Sequence, residues 1–222
     1  MFSDHRLNQP LDELFDVLTS EGVPTGRTKA RALVHRDGDW HRAAHVWVYG
    51  VRDESAFLLF QRRGLNKDTW PGKLDATVGG HYGAGERVSD VLREVKEEIG
   101  IPVVESELRF AGVRMRSSES EPGIIDRELQ DVYLWQRNEA LPTYVPNDPE
   151  LEAMVAVDLV EFLSFSAGEA EQIAGIELSA RTRAVTEVTL TEQDFVPSID
   201  RYSFRVGLAV RSVLRGDKHV SV

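Results

Sequence analysis

Glu94, Glu97 and Glu98 stand in the run Arg93-Glu94-Val95-Lys96-Glu97-Glu98-Ile99-Gly100. Their i, i+3, i+4 spacing puts three carboxylates on one face of a helix. Two such charges about 4 Å apart repel by roughly 4 kcal/mol at an effective dielectric of 20. A helix that gathers them loses stability unless positive charge intervenes, and a hard divalent cation with oxygen ligands is the natural partner. Mg²⁺ binds through one or two carboxylates and completes its shell with water and substrate phosphate. Taken alone, Glu-x-x-Glu-Glu reads more simply as a solvated acidic face. The glycines just before it, Gly79, Gly80, Gly83 and Gly85, add a second element: backbone that a ligand can approach closely.

The elements that must position these groups follow from periodicity. Val88, Val91, Leu92, Val95 and Ile99 form one apolar stripe, which predicts a helix over 87–99, closed by Gly100 with Pro102 beyond it. Apolar runs predict strands over 14–18, 43–49, 56–61, 74–78, 108–115, 129–136 and 154–157, with 43–49 and 56–61 antiparallel. Helical stretches are expected near 27–35, 160–165 and 202–214. The segments 116–126 and 138–149 read as long connections, and 168–193 mixes helix-forming with β-branched residues and has no clear assignment. Strands interleaved with helices indicate an α/β or α+β fold with helices on both faces of a sheet. The chain divides into a domain over 1–165 and an extension over 166–222 packed on it.

The 222 residues carry 26 basic and 37 acidic side chains, a net charge of −11. Such a chain repels nucleic-acid backbones and anionic membrane surfaces. There is no cysteine, hence no disulfide, thiolate metal site or cysteine nucleophile. Neither a secretory leader nor an apolar run of about 18 residues is evident, so the expected location is the cytoplasm.

Gly80, Glu86 and the run Arg93 to Ile101 together resemble the signature of the Nudix hydrolases. The second half matches at every position, whereas six residues separate Glu86 from Arg93 where the family has seven. The resemblance implies a Nudix-type α/β/α sandwich with a central mixed β-sheet. It implies a Mg²⁺- or Mn²⁺-dependent hydrolase that cleaves a diphosphate linkage in a nucleoside-diphosphate-type or related small metabolite. The metal ligands would be Glu94, Glu97, Glu98 and the Gly80 carbonyl. Glu94, Glu97, Arg93 and Glu128 would be the catalytic groups, with Arg93 holding a glutamate by a charge-assisted hydrogen bond. The place of Glu86 depends on the shortened interval.

Over roughly residues 10–165 the chain also looks like a subgroup similar to type I isopentenyl-diphosphate isomerase. That enzyme has a proton-transferring cysteine two residues before the histidine matching His81. Gly79 stands there, which removes the acid/base group and argues against isomerisation. The same resemblance suggests a second metal site from His35, His41, His81, Asp126 and Glu128, set against a role as hydrogen-bonding anchors. In so acidic a chain, substrate phosphate should meet Arg62, Arg63 and Lys67, with Trp70 and Tyr82 flanking the cleft. The segment Phe195 to Arg205 either covers the site or forms a homodimer contact. A catalytically silent metabolite-binding module and an isoprenoid-diphosphate-related enzyme are the alternative readings.

Overall fold

The computed structural model describes residues 13–67, 69–121, 124–147 and 150–222. The first twelve residues of the expected N-terminal lead-in lie outside them. In chain order the elements are β1 (Leu14–Leu18), β2 (Pro24–Ala30), α1 (Arg31–Asp37), β3 (Trp40–Arg52), β4 (Ser55–Arg63), β5 (Leu74–Asp75) and β6 (Val78–His81). Then come α2 (Val88–Val91), α3 (Arg93–Ile99), β7 (Leu108–Glu121), β8 (Ile124–Gln136), β9 (Leu151–Asp158) and α4 (Leu159–Ser166). The hairpin β10 (Gln172–Ser179) and β11 (Val185–Thr191) leads to α5 (Tyr202–Leu214).

Strand β3 is the hub of a mixed sheet. It runs parallel to β8 along its length, while β6 pairs with residues 43–46 and β4 with residues 48–52, both antiparallel. The sheet continues from β4 through β9 and β10 to β11. Because successive side chains on a strand point to opposite faces, β3 feeds two cores. Trp47 joins Phe60, Val132 and Leu134 under α4 and α5, where Phe162, Val206 and Val210 are buried. Val46 and Val48 join Tyr133 and Trp135 under α2 and α3, where Val91, Val95 and Ile99 are buried. Helices therefore cover both faces, the α/β/α layering the sequence implied. Residues 166–222 add β10, β11 and α5 to this same sheet and core.

Several expectations need correction. The strand over 74–78 is two, β5 and β6, separated by Ala76 and Thr77. The single helix over 87–99 is two pieces, interrupted at Leu92, whose ψ of −13° tightens the turn. The short Glu86–Arg93 interval sits at this break. Residues 116–121 and 124–126 are paired strand, with Arg116 opposite Glu128 and Ser118 opposite Asp126. This end of β7 reads as loop in sequence because, at an edge of the sheet, its outward residues are Ser117 and Glu119. The first helix starts at Arg31, later than expected, because residues 24–30 pair with β1. The unassigned stretch 168–193 contains the β10–β11 hairpin, in register from Gln172–Thr191 to Leu178–Val185.

Candidate active site

The glycine run and α3 meet at the mouth of a cavity of about 610 Å³. Strands β3 through β8, α1, α3 and residues 195–203 all contribute to its lining. Glu94, Glu97 and Glu98 face it together. Glu98 is buried, and its Oε2 has no hydrogen-bond partner among the described residues. Burial pushes its carboxyl up to about 8, with Lys67 opposing and Glu94 adding to the rise. Glu94 is also raised, by burial and then by the charge of Glu97. A Cβ on Gly80 would lie 2.9 Å from Glu94 Cγ, so only glycine leaves that carboxylate its present place. A partnerless buried carboxylate costs free energy unless charge compensates it, and Glu98, with Glu94 beside it, fits a divalent ion on that ground.

Despite the short interval, Arg93 donates to Glu86 Oε1 at 2.7 Å, and Glu86 Oε2 accepts from the Gly83 amide at 2.8 Å. Arg93 thus ties the helix to the glycine turn through Glu86. Its distance to Glu94 is longer, 3.8 Å.

The five residues of the expected second site do converge. His35 Nε2, His41 Nε2 and Asp126 Oδ1 are buried with no hydrogen-bond partner among the described residues. His41 Nδ1 lies 3.2 Å from the Asp39 carbonyl, so it carries the proton and leaves Nε2 a free lone pair. This is the tautomer that a metal-ligating histidine adopts. His41 Nε2 and His35 Nε2 lie 3.7 and 4.0 Å from Asp126 Oδ1. Burial, followed by the Arg31 charge, holds His35 at about 4 and His81 at about 3, so both are neutral. His81 is already engaged: Arg31 donates to its Nδ1, and its Nε2–H donates to Glu128 at 3.0 Å. Burial would raise Glu128, but the His81 hydrogen bond and the Arg116 charge hold it well below the usual range. Asp126 is pushed up to about 7 by burial and then by Glu128. These groups and donor types suit a cation bound by imidazole and carboxylate.

The substrate-side expectations divide. Arg63 and Lys67 line the cavity, Arg63 held by the Thr69 carbonyl at 2.9 Å and Asp75 at 3.3 Å, Lys67 by Glu150. Arg62 does not: neighbours on β4 point to opposite faces, and Arg62 reaches Glu177 at 2.8 Å on β10. Trp70 is also absent from the lining; it has a φ of 50° and a buried, unpartnered indole N–H. Tyr82 turns away past the end of β6, donating to Asp131 at 2.7 Å beneath the Arg42 guanidinium.

Sequence reasoning missed Ala43, His45 and Trp47 as lining residues. Phe195, Val196, Pro197, Ser198, Tyr202 and Ser203 form one wall, so this part of the segment 195–205 lies against the cavity. The Val196 amide donates to the Leu74 carbonyl at 3.0 Å and anchors the wall to β5. Arg114 is fully paired, with two hydrogen bonds to Asp200 at 2.8 and 2.9 Å and one to Gln130 at 2.8 Å. Trp47 is buried yet borders the cavity and donates its indole N–H to Tyr202. The only sequence signal was the alternation His41, Ala43, His45, Trp47, which shares one strand face.

A mixed sheet clad by helices, with a glycine turn feeding an acidic helix face, defines the Nudix class of α+β fold. The NUDIX domain profile matches residues 39–175, and the chain belongs to the Nudix family as a Nudix hydrolase. An uncharacterised Nudix hydrolase of Clostridium acetobutylicum is 30% identical over 190 residues, covering 84% of this chain and 91% of that protein. Nudix hydrolase 3 of Arabidopsis thaliana is 35% identical over 162 residues, which are 71% of this chain but 21% of the plant protein. This chain thus spans about a fifth of that relative. An isopentenyl-diphosphate Delta-isomerase of Shigella boydii is 32% identical over 148 residues, 66% of this chain and 78% of that enzyme. Among solved structures, a Deinococcus radiodurans protein superposes with a TM-score of 0.50 at 18% identity, covering 70% of this chain and 90% of its own, and it shows the fold.

Proposed function

We propose that this Nudix hydrolase splits the P–O–P linkage of a small organic diphosphate with Mg²⁺ or Mn²⁺ held by Glu94, Glu97, Glu98 and the Gly80 carbonyl. The observation that carries the reading is the buried, partnerless Glu98 oxygen beside Glu94 on the cavity wall. Charge supports it. Eight carboxylates line the cavity against six Lys and Arg side chains, so a diphosphate needs added positive charge to enter. A divalent ion bound there supplies neutralisation of the phosphate oxygens and acidifies water.

The chain's own groups then have distinct tasks. Glu97, on the exposed rim of the same face, is placed to accept the proton of the attacking water. Arg93 locks the glycine turn to α3 through Glu86, so that the Gly80 carbonyl and Glu94 keep their relation. Arg63 and Lys67 exchange their present carboxylate partners for substrate phosphate. His35, His41 and Asp126, with Glu128 and His81 behind them, hold a second cation of the Mn²⁺, Zn²⁺ or Fe²⁺ type.

The test is turnover of a panel of nucleotide, sugar-nucleotide and prenyl diphosphates with Mg²⁺ and Mn²⁺. Wild type should release a monophosphate from at least one, and Glu98→Gln should lose at least about a hundredfold in kcat with its fold intact. Undiminished turnover in that variant overturns the ligand assignment. No release from any compound overturns the hydrolytic reading.

A further inference from the structure

His45 lines the cavity and belongs to neither candidate metal site. It shares a β3 face with His41, Ala43 and Trp47. At about 3.3 Å per residue it stands roughly 13 Å along the strand from His41. Its ring lies 5.6 Å from that of Tyr202 between centroids, and Trp47, Phe60 and Phe195 line the same cavity.

Its hydrogen bonding fixes its tautomer. Indole nitrogen only donates, so Trp47 Nε1–H donates to the Tyr202 hydroxyl oxygen at 2.9 Å. Tyr202 is buried, and its own proton needs an acceptor. His45 Nδ1, at 3.0 Å, provides one. The chain of donors therefore runs Trp47 to Tyr202 to His45, and the remaining proton of a neutral His45 sits on Nε2. Tyr202 is held in place from above by the Arg114 guanidinium, 3.9 Å from its ring centroid, and Arg114 is itself fixed by Asp200. On the other side of the imidazole, β6 pairs Gly79 with His45. A Cβ at Gly79 would contact both Nε2 and Cδ2 at 3.5 Å. Glycine leaves the Nε2 edge uncovered.

We propose that His45 Nε2–H is a specificity-determining hydrogen-bond donor for an uncharged oxygen, hydroxyl or carbonyl, on the non-phosphate part of the substrate. A neutral donor whose nearest guanidinium is already saturated by Asp200 favours a neutral acceptor over an anion. The aromatic floor beside it takes the flat or apolar remainder of the same group. The inference rests on the diphosphate reading for the other end of the ligand, and it narrows the substrate to esters carrying an acceptor at that depth. A plain hydrocarbon ester leaves the donor unpaired.

The test has two parts. In ¹⁵N-histidine NMR of the whole protein, assigned through His45→Gln, His45 should show the Nε2–H tautomer. Tyr202→Phe, which removes the proton donor to Nδ1, should shift its signals toward a tautomer mixture. A protonated Nδ1 in wild type overturns the relay. The second part compares ADP-ribose, rich in ribose hydroxyl acceptors, with isopentenyl diphosphate, which has none beyond its diphosphate. His45→Phe and Gly79→Ala should each lower kcat/KM for ADP-ribose about tenfold, the worth of one hydrogen bond. Isopentenyl diphosphate should change by less than about twofold, and His45→Gln, which keeps an N–H, should recover much of the loss. Equal losses on both compounds, or a wild-type preference for the prenyl ester, overturn the proposal. If neither compound is hydrolysed, the full diphosphate panel decides the hydrolytic reading separately. Calorimetric binding of the same two compounds then decides His45 by the same tenfold criterion, and absence of ADP-ribose binding counts against it.

Discussion

Glu98→Gln tests the electrostatics of the helix face without any substrate. In the metal-free protein burial raises the Glu98 carboxyl from 4.5 to about 8. A group whose folded pKa lies above its unfolded value holds its proton more tightly when folded. Its contribution is fully present below the unfolded pKa and is lost as pH rises through about 8. At 1.36 kcal/mol per unit the shift has an upper bound of roughly 4–5 kcal/mol, and water reaching the cavity reduces this to about 2 kcal/mol. For a chain of this size that is about 4–8 °C in melting temperature. Thermal melts in EDTA should therefore give similar midpoints for wild type and Glu98→Gln at about pH 5. By pH 9.5 the variant should be more stable by that amount. Added Mn²⁺ should reverse the order, because wild type regains a ligand that the amide does not supply. Parallel pH profiles in EDTA would refute the argument that Glu98 is a strained, uncompensated carboxylate.

Three further outcomes follow from the same contacts. Gly80→Ala should fold but displace Glu94, whose Cγ lies 2.9 Å from the added methyl. Steady-state kinetics should show a loss in kcat of about a hundredfold, the typical cost of a 1 Å misplacement. His41→Ala should abolish one equivalent of tightly held Mn²⁺ or Zn²⁺, measured by metal analysis after dialysis, while leaving the uptake attributable to Glu94 and Glu98. At Asp200, burial works to raise the carboxyl, but hydrogen bonds from Arg114 and Ser198 prevail and hold it at about 2. Its stabilisation is complete above the ordinary carboxylate range and lost as pH falls through about 2. Asp200→Asn should therefore melt lower at pH 7, by about 1 kcal/mol given the partial exposure of the pair, with the gap to wild type closing below pH 3.

Where burial pattern and function coincided, the sequence was readable. The bounds of α5 and β1 follow from apolar periodicity, and the three glutamates of α3 stand on the face opposite its apolar stripe, as their spacing required. The histidine–carboxylate cluster was reached only by resemblance. Its members lie on α1, β3, β6 and β8, and no local pattern joins residues 35 and 128. The outer strands escaped because an edge strand carries polar residues on one face and so imitates a loop, as in Ser117-Ser118-Glu119. Arg62 and Arg63 show the limit of composition. Both are cations at the end of one strand, yet the pleat sends only one toward the cavity. Trp70 and Tyr82 were chosen for their chemistry, but their direction is set by a left-handed backbone position and by the turn after β6. The His45–Tyr202–Trp47 relay joins side chains 155 and 157 positions apart, a separation beyond any local motif.

The wall contributed by residues 195–203 also has a bearing on biosynthesis. A ribosome adds about 5–20 residues per second, so the acidic helix emerges roughly 5–20 s before the segment that encloses it. During that window the acidic helix exists without the wall that closes one side of its cavity in the finished chain.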